Sequence, residues 1–440
     1  MLLASGNSIE YVVGYLGALH TGAAVVAANS MLTATELGAL VADTDPVAAL
    51  VAGDRHEQIR SIGGVPNVVD LGGEDADGLS EILAGAAPAE VRPAEPDEIV
   101  HLAFTSGTTG RPKPTPLTNR NVLASVRGVM SAWRWQGDDV LVHALPLQHG
   151  HGISGLHTAL LSGSRLVLVP EFSPEAVCAA VQTHRATVLF GVPTMYDRLL
   201  AWGQTGERLR GLRLATTGSA AMSPRTSDAM VEVLGQRPLE RYGLTETGFV
   251  LSNPYDDRIA GSVGIPLPGA EVIIAGADGE RCPDGTDGEI RTRGPQVFAG
   301  YLGSEGQADL SPDGWFRTGD LGRIDPASGF FSVVGRSKEV IITGGLNVYP
   351  REVELVLEAV PGVAEVAVVG LPSDRWGEQV TAFVVPVAGA SLEPDALQAR
   401  AENALAAYKR PKEYRMVTGL PRNHLGKVVR SVLVAGSEAG

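Results

Sequence analysis

The nine residues Thr105-Ser106-Gly107-Thr108-Thr109-Gly110-Arg111-Pro112-Lys113 follow an apolar, β-branched run at 99–104. A loop of glycines and hydroxyl residues leaving a strand can turn its backbone N–H groups and hydroxyls onto a polyphosphate, with the lysine adding positive charge. It is not a Walker A loop, because no Gly-Lys-Ser/Thr closes it. Outward from this point, short β-rich runs at 47–52, 140–145, 166–169, 187–190 and 212–216 alternate with helical patterns at 119–133, 174–184 and 194–202. That alternation predicts α/β layers around a substantially parallel sheet.

Past residue 270 the texture changes. Short strands at 271–275, 288–293 and 330–334 are separated by Gly, Pro and Asp, which reads as a smaller β-rich unit, a distorted barrel. After Gly335 it changes again. Pro350 opens a helix with apolar residues at Val353, Val356, Leu357 and Val360, a helical spacing. Strands at 363–369 and 380–387 and a helix at 397–407 complete a compact α+β domain of roughly a hundred residues. The expected division is therefore 1–337, with 270–335 as its β-rich part, and 338–440.

The composition narrows the function classes. A chain of 440 residues exceeds one ordinary core, and 44% hydrophobic with 19% charged residues is a globular balance. The formal charge of −15 disfavours nucleic acid and anionic lipid as partners, while a few local donors can still hold a small anion such as ATP. Cys178 and Cys282 show no metal-type spacing and read as reduced thiols of a cytosolic protein. No apolar stretch approaches the ~20 residues that span a bilayer, and the start does not read as a signal peptide.

The loop at 105–113 closely resembles the phosphate-binding loop of the adenylate-forming superfamily, which comprises acyl-CoA synthetases, peptide-synthetase adenylation domains and luciferases. Further motifs follow in the family's order along nearly the whole chain. Thr217-Gly218-Ser219-Ala220-Ala221 resembles the segment bordering the adenine. Arg241-Tyr242-Gly243-Leu244-Thr245-Glu246-Thr247 resembles the signature in which Tyr stacks on adenine, Thr contacts phosphate and Glu holds Mg²⁺. Thr318-Gly319-Asp320 resembles the site where Asp grips the ribose hydroxyls. Gly335-Arg336-Ser337-Lys338 resembles the hinge, with Arg336 near the ribose and Lys338 as pivot. Pro421-Arg422-Asn423-His424-Leu425-Gly426-Lys427 resembles the loop carrying the catalytic lysine. The resemblance implies a large N-terminal domain, a small mobile C-terminal domain, and activation of a carboxylic acid by ATP with transfer to coenzyme A. It makes Lys427, Glu246 and Thr108 the catalytic candidates, and Thr105, Ser106, Gly107, Thr109, Gly110, Lys113, Gly218, Ser219, Ala220, Tyr242, Gly243, Thr245, Asp320 and Arg336 the nucleotide contacts. Gly344 and Gly345 in the loop 343–350 are expected at the thioester step. Lys409 and Arg410 would meet the phosphates of coenzyme A, or else form an ordinary solvated face.

The acid is indicated by Arg241, which by this resemblance abuts the acyl pocket. A guanidinium facing a pocket finds its natural partner in a carboxylate. The runs 191–198, 240–243, 253–256 and 347–350 resemble malonyl-CoA synthetases. The expected substrate is malonate or methylmalonate, its distal carboxylate on Arg241 with help from Arg198, and His149 beside the pocket. The competing reading pairs Arg241 with Glu240 or Asp197. Other possibilities are an oxalate or short-to-medium fatty acid enzyme, an adenylation unit loading a carrier protein, and an ATP-binding relic. His149 and His151, two apart on an expected extended segment, would share a face, but no third ligand lies nearby and a metal site is not expected. Two departures from the family stand out. Pro114 replaces a usual glycine and removes an N–H. The family's first strands and helix have no counterpart before residue 7, so a bare sheet edge is expected, either covered by a partner subunit such as a second copy of the chain or prone to aggregation.

Overall fold

The computed structural model describes residues 1–73, 78–87, 90, 92–105, 113–302, 309–390, 392–422 and 427–438. Within them the strands form four sheets. The first is built from β1 (Leu2–Ala4), β2 (Val25–Ala27), β3 (Ala48–Val51), β4 (Asn67–Asp70), β5 (Ile99–Thr105) and β6 (Lys113–Thr118), in the order β4-β3-β1-β2-β5-β6. All pair in parallel except β6, which runs antiparallel to β5. The expectation of a bare edge at the start is corrected here. β1 lies inside the sheet between β2 and β3, fully buried, and the edges are β4 and β6.

The second sheet contains β7 (Val140–His143), β8 (Arg165–Leu168), β9 (Val188–Gly191), β10 (Leu214–Thr217), β11 (Leu239–Leu244), β12 (Gly248–Ser252) and β13 (Ile265–Pro266). Its order is β13-β12-β11-β10-β9-β7-β8, parallel from β8 to β11. The helices α1 (Ile9–His20), α2 (Ala34–Thr44), α3 (Arg55–Ile62) and α4 (Leu79–Gly85) belong to the first sheet's connections. Those of the second region are α5 (Asn119–Ala132), α6 (Gly150–Ser162), α7 (Pro174–His184), α8 (Pro193–Trp202) and α9 (Pro224–Leu234). Proline opens α7, α8 and α9, where its missing N–H costs nothing and its fixed φ suits the first turn. Their apolar faces close over β7, β9 and β10 around Trp133 and Phe190, which meet edge to face at 5.6 Å.

The β-rich region is a four-stranded antiparallel sheet of β14 (Glu271–Ala275), β15 (Gly288–Arg293), β16 (Phe316–Ile324) and β17 (Phe331–Arg336). The C-terminal domain holds β18 (Ile341–Thr343), β19 (Leu346–Val348), α10 (Pro350–Glu358), β20 (Val363–Ser373), β21 (Gly377–Pro386), α11 (Pro394–Ala404), β22 (Glu413–Met416) and α12 (Arg430–Glu438). Its core is Val353 and Leu357 of α10, with Val360 just past the helix, against Val366, Val368, Val380 and Val384 of the β20–β21 hairpin. The mixed α/β architecture, with a large N-terminal and a small C-terminal domain, is that expected from the pattern. Among the described residues no helix is long and apolar enough to cross a membrane.

Pro114 is accommodated by its position on the edge strand β6. Its carbonyl accepts from the Leu302 N–H at 3.1 Å, on the side away from β5. A residue in a strand sends N–H and C=O to the same side, so the donor that proline lacks would have pointed outward. Pro116, two residues on, has the same orientation, and the pairing with β5 is kept.

Candidate functional site

The C-terminal ends of β5, β10 and β11 bring three sequence-distant segments to one side of the two sheets, the position where parallel α/β sheets commonly bind ligands. Residues 106–112, with Ser106, Gly107, Thr108, Thr109 and Gly110, lie outside the described residues. The loop's two ends are held, because Thr105 and Lys113 pair across β5 and β6. The Lys113 ammonium stands 4.7 Å above the Tyr301 ring centre.

The hairpin β11–β12 carries the richest set. Its register shifts between Tyr242 and Gly243. At Gly243 an added Cβ would lie 2.1 Å from the Gly248 carbonyl oxygen, so the two strands approach too closely there for any side chain. Tyr242 donates its phenol to Asp320 Oδ2 at 2.7 Å, and Arg336 Nε meets Asp320 Oδ1 at 2.9 Å. Asp320 and Arg336 are cross-strand partners on β16 and β17, so sheet register alone places the pair. Burial, then the Asp320 carboxylate, holds the Tyr242 phenol well above its ordinary pKa, and it stays a neutral donor. Glu246 follows in the turn, only 8% exposed, and accepts from the Tyr301 hydroxyl at 2.7 Å.

Lys427 reaches this cluster from the far end of the chain; residues 423–426 lie outside the described residues. Burial, then Arg336, lowers its pKa, while Asp320, Glu246 and Glu339 oppose the fall. The structure therefore gathers Glu246, Asp320, Arg336, Tyr242 and Lys427. Lys338 sits in a single turn between β17 and β18, where Arg430 of α12 pairs with Glu339 at 3.0 Å and Glu354 at 2.7 Å.

Next to Tyr242 along β11, Arg241 joins an apolar group around the buried rings of Phe190 and Phe249. Ser219 takes a left-handed conformation, φ 68°, and its hydroxyl lies 3.2 Å from His151 Nδ1. The His151 ring packs 5.9 Å from Phe190 and 6.1 Å from Phe249, and burial followed by the Arg241 charge keeps it neutral. Arg241, 5% exposed, lays its guanidinium 3.8 Å over the Phe249 ring centre. Its Nε and Nη2 have no hydrogen-bond partner among the described residues, and burial pulls its pKa down to about 9.

Three expectations are corrected. Glu240 and Asp197 do not pair with Arg241: Glu240 accepts from the Gly261 N–H at 2.9 Å and Asp197 from the Thr226 hydroxyl at 2.6 Å. Arg198 is exposed and stacks on Phe172 at 4.7 Å, so it is not brought to Arg241. His149 and His151 share no extended face, because α6 begins at Gly150. His149 is the N-cap and His151 sits in the first turn, a helix start obscured by the two glycines.

Gly344 and Gly345 form the tight turn of the β18–β19 hairpin with φ of 57° and 79°, the conformation glycine favours. The Gly344 N–H donates to the Trp376 carbonyl at 2.7 Å. Lys409 pairs with Glu352 at 2.6 Å, and Arg410 donates to the Leu405 and Glu402 carbonyls, so both have partners within the C-terminal domain. Phe249, Tyr301 and Trp376 were not singled out from the sequence. Single aromatics carry no spacing signal, and only the fold shows which face a site. Trp376 is flanked by Arg375 at 4.7 Å and Lys412 at 6.0 Å.

Family models for the AMP-binding enzymes and for their C-terminal domain match residues 1–302 and 352–427. The human (Homo sapiens) malonate–CoA ligase ACSF3, mitochondrial, is 34% identical over 474 residues, covering 97% of this chain and 81% of the relative. The indoleacetate–CoA ligase of Aromatoleum aromaticum is 35% identical over 438 residues, covering 96% of this chain and 85% of the relative. Among solved structures, ATP-bound MatB from Rhodopseudomonas palustris superposes with a TM-score of 0.93 at 35% identity, covering 99% of this chain and 88% of that one.

Proposed function

The chain belongs to the AMP-binding enzyme family, and from that premise we propose that it is an AMP-forming acyl-CoA ligase whose acid is malonate or methylmalonate. Overall identity does not choose the acid, because relatives named for malonate and for indoleacetate are equally distant. The observation that carries the choice is the guanidinium of Arg241, buried with Nε and Nη2 unpartnered among the described residues. A buried charge without a partner costs several kcal/mol (about 3–5 when one member of a pair is missing). A second carboxylate on the substrate supplies that partner, and a bidentate fork suits it. An acid with an apolar tail leaves the charge unpaired.

In the first step the substrate's near carboxylate attacks the α-phosphorus of ATP, forming the acyl-adenylate and releasing pyrophosphate. Two anions must meet, so catalysis rests on alignment and charge neutralisation. Lys427 places its ammonium toward the α-phosphate, Asp320 and Arg336 hold the ribose, and Tyr242 packs against the adenine. Among the described residues no three His, Cys, Asp or Glu cluster to hold a metal. The buried carboxylate of Glu246 fits Mg²⁺, which takes one or two carboxylates plus substrate phosphates. When bound, that cation neutralises phosphate charge. In the second step a thiol, that of coenzyme A, attacks the acyl carbonyl, AMP leaves and the thiol proton is released. Rotation of the C-terminal domain about Lys338 would bring the Gly344–Gly345 turn to the site, with Trp376, Arg375 and Lys412 as a platform for the nucleotide end of the thiol.

The test is pyrophosphate release with ATP, Mg²⁺ and coenzyme A across malonate, methylmalonate, oxalate, acetate and octanoate. Malonate or methylmalonate turnover that collapses by at least about 30-fold in kcat/KM in Arg241→Ala is expected, the loss typical of an unpaired buried charge. Lys427→Ala is expected to lose about 100-fold or more in rate with every acid. Octanoate as best substrate, indifferent to Arg241→Ala, sinks the dicarboxylate reading.

A further inference from the structure

Tyr301 lies outside every motif described above, yet residues 298–302 grip two parts of the site at once. The Tyr301 hydroxyl donates to Glu246 Oε1 at 2.7 Å, and the Phe298 N–H donates to the Glu246 carbonyl at 2.9 Å. The same segment holds the first residues of β6. The Leu302 N–H donates to the Pro114 carbonyl at 3.1 Å, and the Tyr301 ring carries the Lys113 ammonium at 4.7 Å. The ring is fixed edge-on against Phe298 at 4.9 Å, and Phe298 in turn against Phe316 at 5.3 Å. This segment is thus a strap between the Glu246 carboxylate and the exit strand of the loop at 106–112.

We propose that Tyr301 is a positioning residue for the cation carboxylate: its hydroxyl fixes the rotation of Glu246 so that Oε2 is presented to a divalent cation, and its ring sets Lys113 alongside. The inference rests on the reading of Glu246 given under the proposed function. A glutamate's terminal torsion is broad and roughly two-fold, so without a partner the carboxylate samples many orientations. A phenol bound to one oxygen removes that freedom, as outer partners of metal carboxylates do generally. The cation over the ring face adds an attraction that a packing role alone does not need.

The experiment uses the full chain and Mn²⁺ as a spectroscopic probe, with free ion counted by electron paramagnetic resonance in the presence of ATP. Metal-free ATP binding and ligand-free melting are measured alongside. Tyr301→Phe keeps the ring, its contacts and the cation–π geometry and removes only the donor. The expected result is Mn²⁺–ATP binding weakened by about tenfold, the usual cost of losing an outer partner, with metal-free ATP binding and melting unchanged. Tyr301→Leu, which also removes the ring, is expected to weaken metal-free ATP binding as well. If Tyr301→Phe binds Mn²⁺–ATP like the parent while Glu246→Gln is weakened, the inference is overturned and the role of Glu246 stands. If neither variant moves, the role of Glu246 fails and the inference falls with it. A Tyr301→Phe chain that loses melting temperature and both affinities together marks a packing residue, which also overturns it.

Discussion

Arg241 shows how much one side chain can decide. Its position on β11 directs it under the Gly218 backbone, where a Cβ added to Gly218 would stand 2.8 Å from Nη1. Gly218→Ala therefore pushes the guanidinium out of line without touching its charge. The expected outcome is a fall of about tenfold or more in kcat/KM for malonate, with KM for ATP much less affected, since small misplacements of a positioning group cost up to ~100-fold. Equal losses for malonate and ATP would place the damage in the adenine border instead. Arg241 was legible in the sequence as a charge at an unusual place. That no acid among the described residues bonds its Nε or Nη2 was not, because pairing depends on where Glu240 and Asp197 point, and each is bound elsewhere by groups far along the chain.

Among the elements, the lower ends of β7, β9 and β10 are stitched by one buried acid. Asp139, ahead of β7, accepts from Thr187 at 2.7 Å and from Arg213 Nε at 2.7 Å, and also pairs with Arg213 Nη2. Burial alone would raise its pKa, but these donors outweigh it and hold the carboxyl below its ordinary value. Arg213→Ala leaves the charge buried and loses about 3 kcal/mol of stability, measured by urea unfolding. A loss under about 0.5 kcal/mol would show the pair to be a surface-like contact. Many of the elements were readable: the strand runs near 99, 140, 188, 271 and 288 and the proline-opened helices α7 and α8 stand within a residue or two of their expected limits, while α11 begins and ends three residues earlier than expected. Among those that escaped were α2, α3 and α9, α6, whose start hides in Gly-His-Gly, and the short interior strands β1 and β2, with three residues each. Such brief runs carry no period long enough to read.

For the whole molecule, Glu240 links the second sheet to the C-terminal domain. Burial raises its pKa to about 7 from an ordinary 4.5, opposed by the N–H groups of Gly261 and Met222 and by Arg237 and Arg351, the last from α10. The folded chain thus holds a proton that the unfolded chain has released between pH 4.5 and 7. Glu240 therefore favours folding most at the acid end of that window, loses this contribution as pH rises through it, and adds no slope above. Glu240→Gln cannot titrate, so its melting temperature relative to the parent should climb between about pH 4.5 and 7 and then level off. A difference independent of pH removes Glu240 from the linkage.

The sequence by itself determined the layered α/β class, the family and the order of its motifs, because these depend on local periodicity and on residue types at fixed spacing. Tertiary structure alone decided that Asp320 meets Arg336 across β16 and β17, that His151 and not Arg198 stands by Arg241, and that Pro114 directs its missing donor outward. It also decided that Tyr301 holds Glu246. The physical reason is common to all four. Each is a matter of which groups face one another after distant segments pack, and neither residue type nor spacing along the chain records the direction in which a side chain or a backbone donor points.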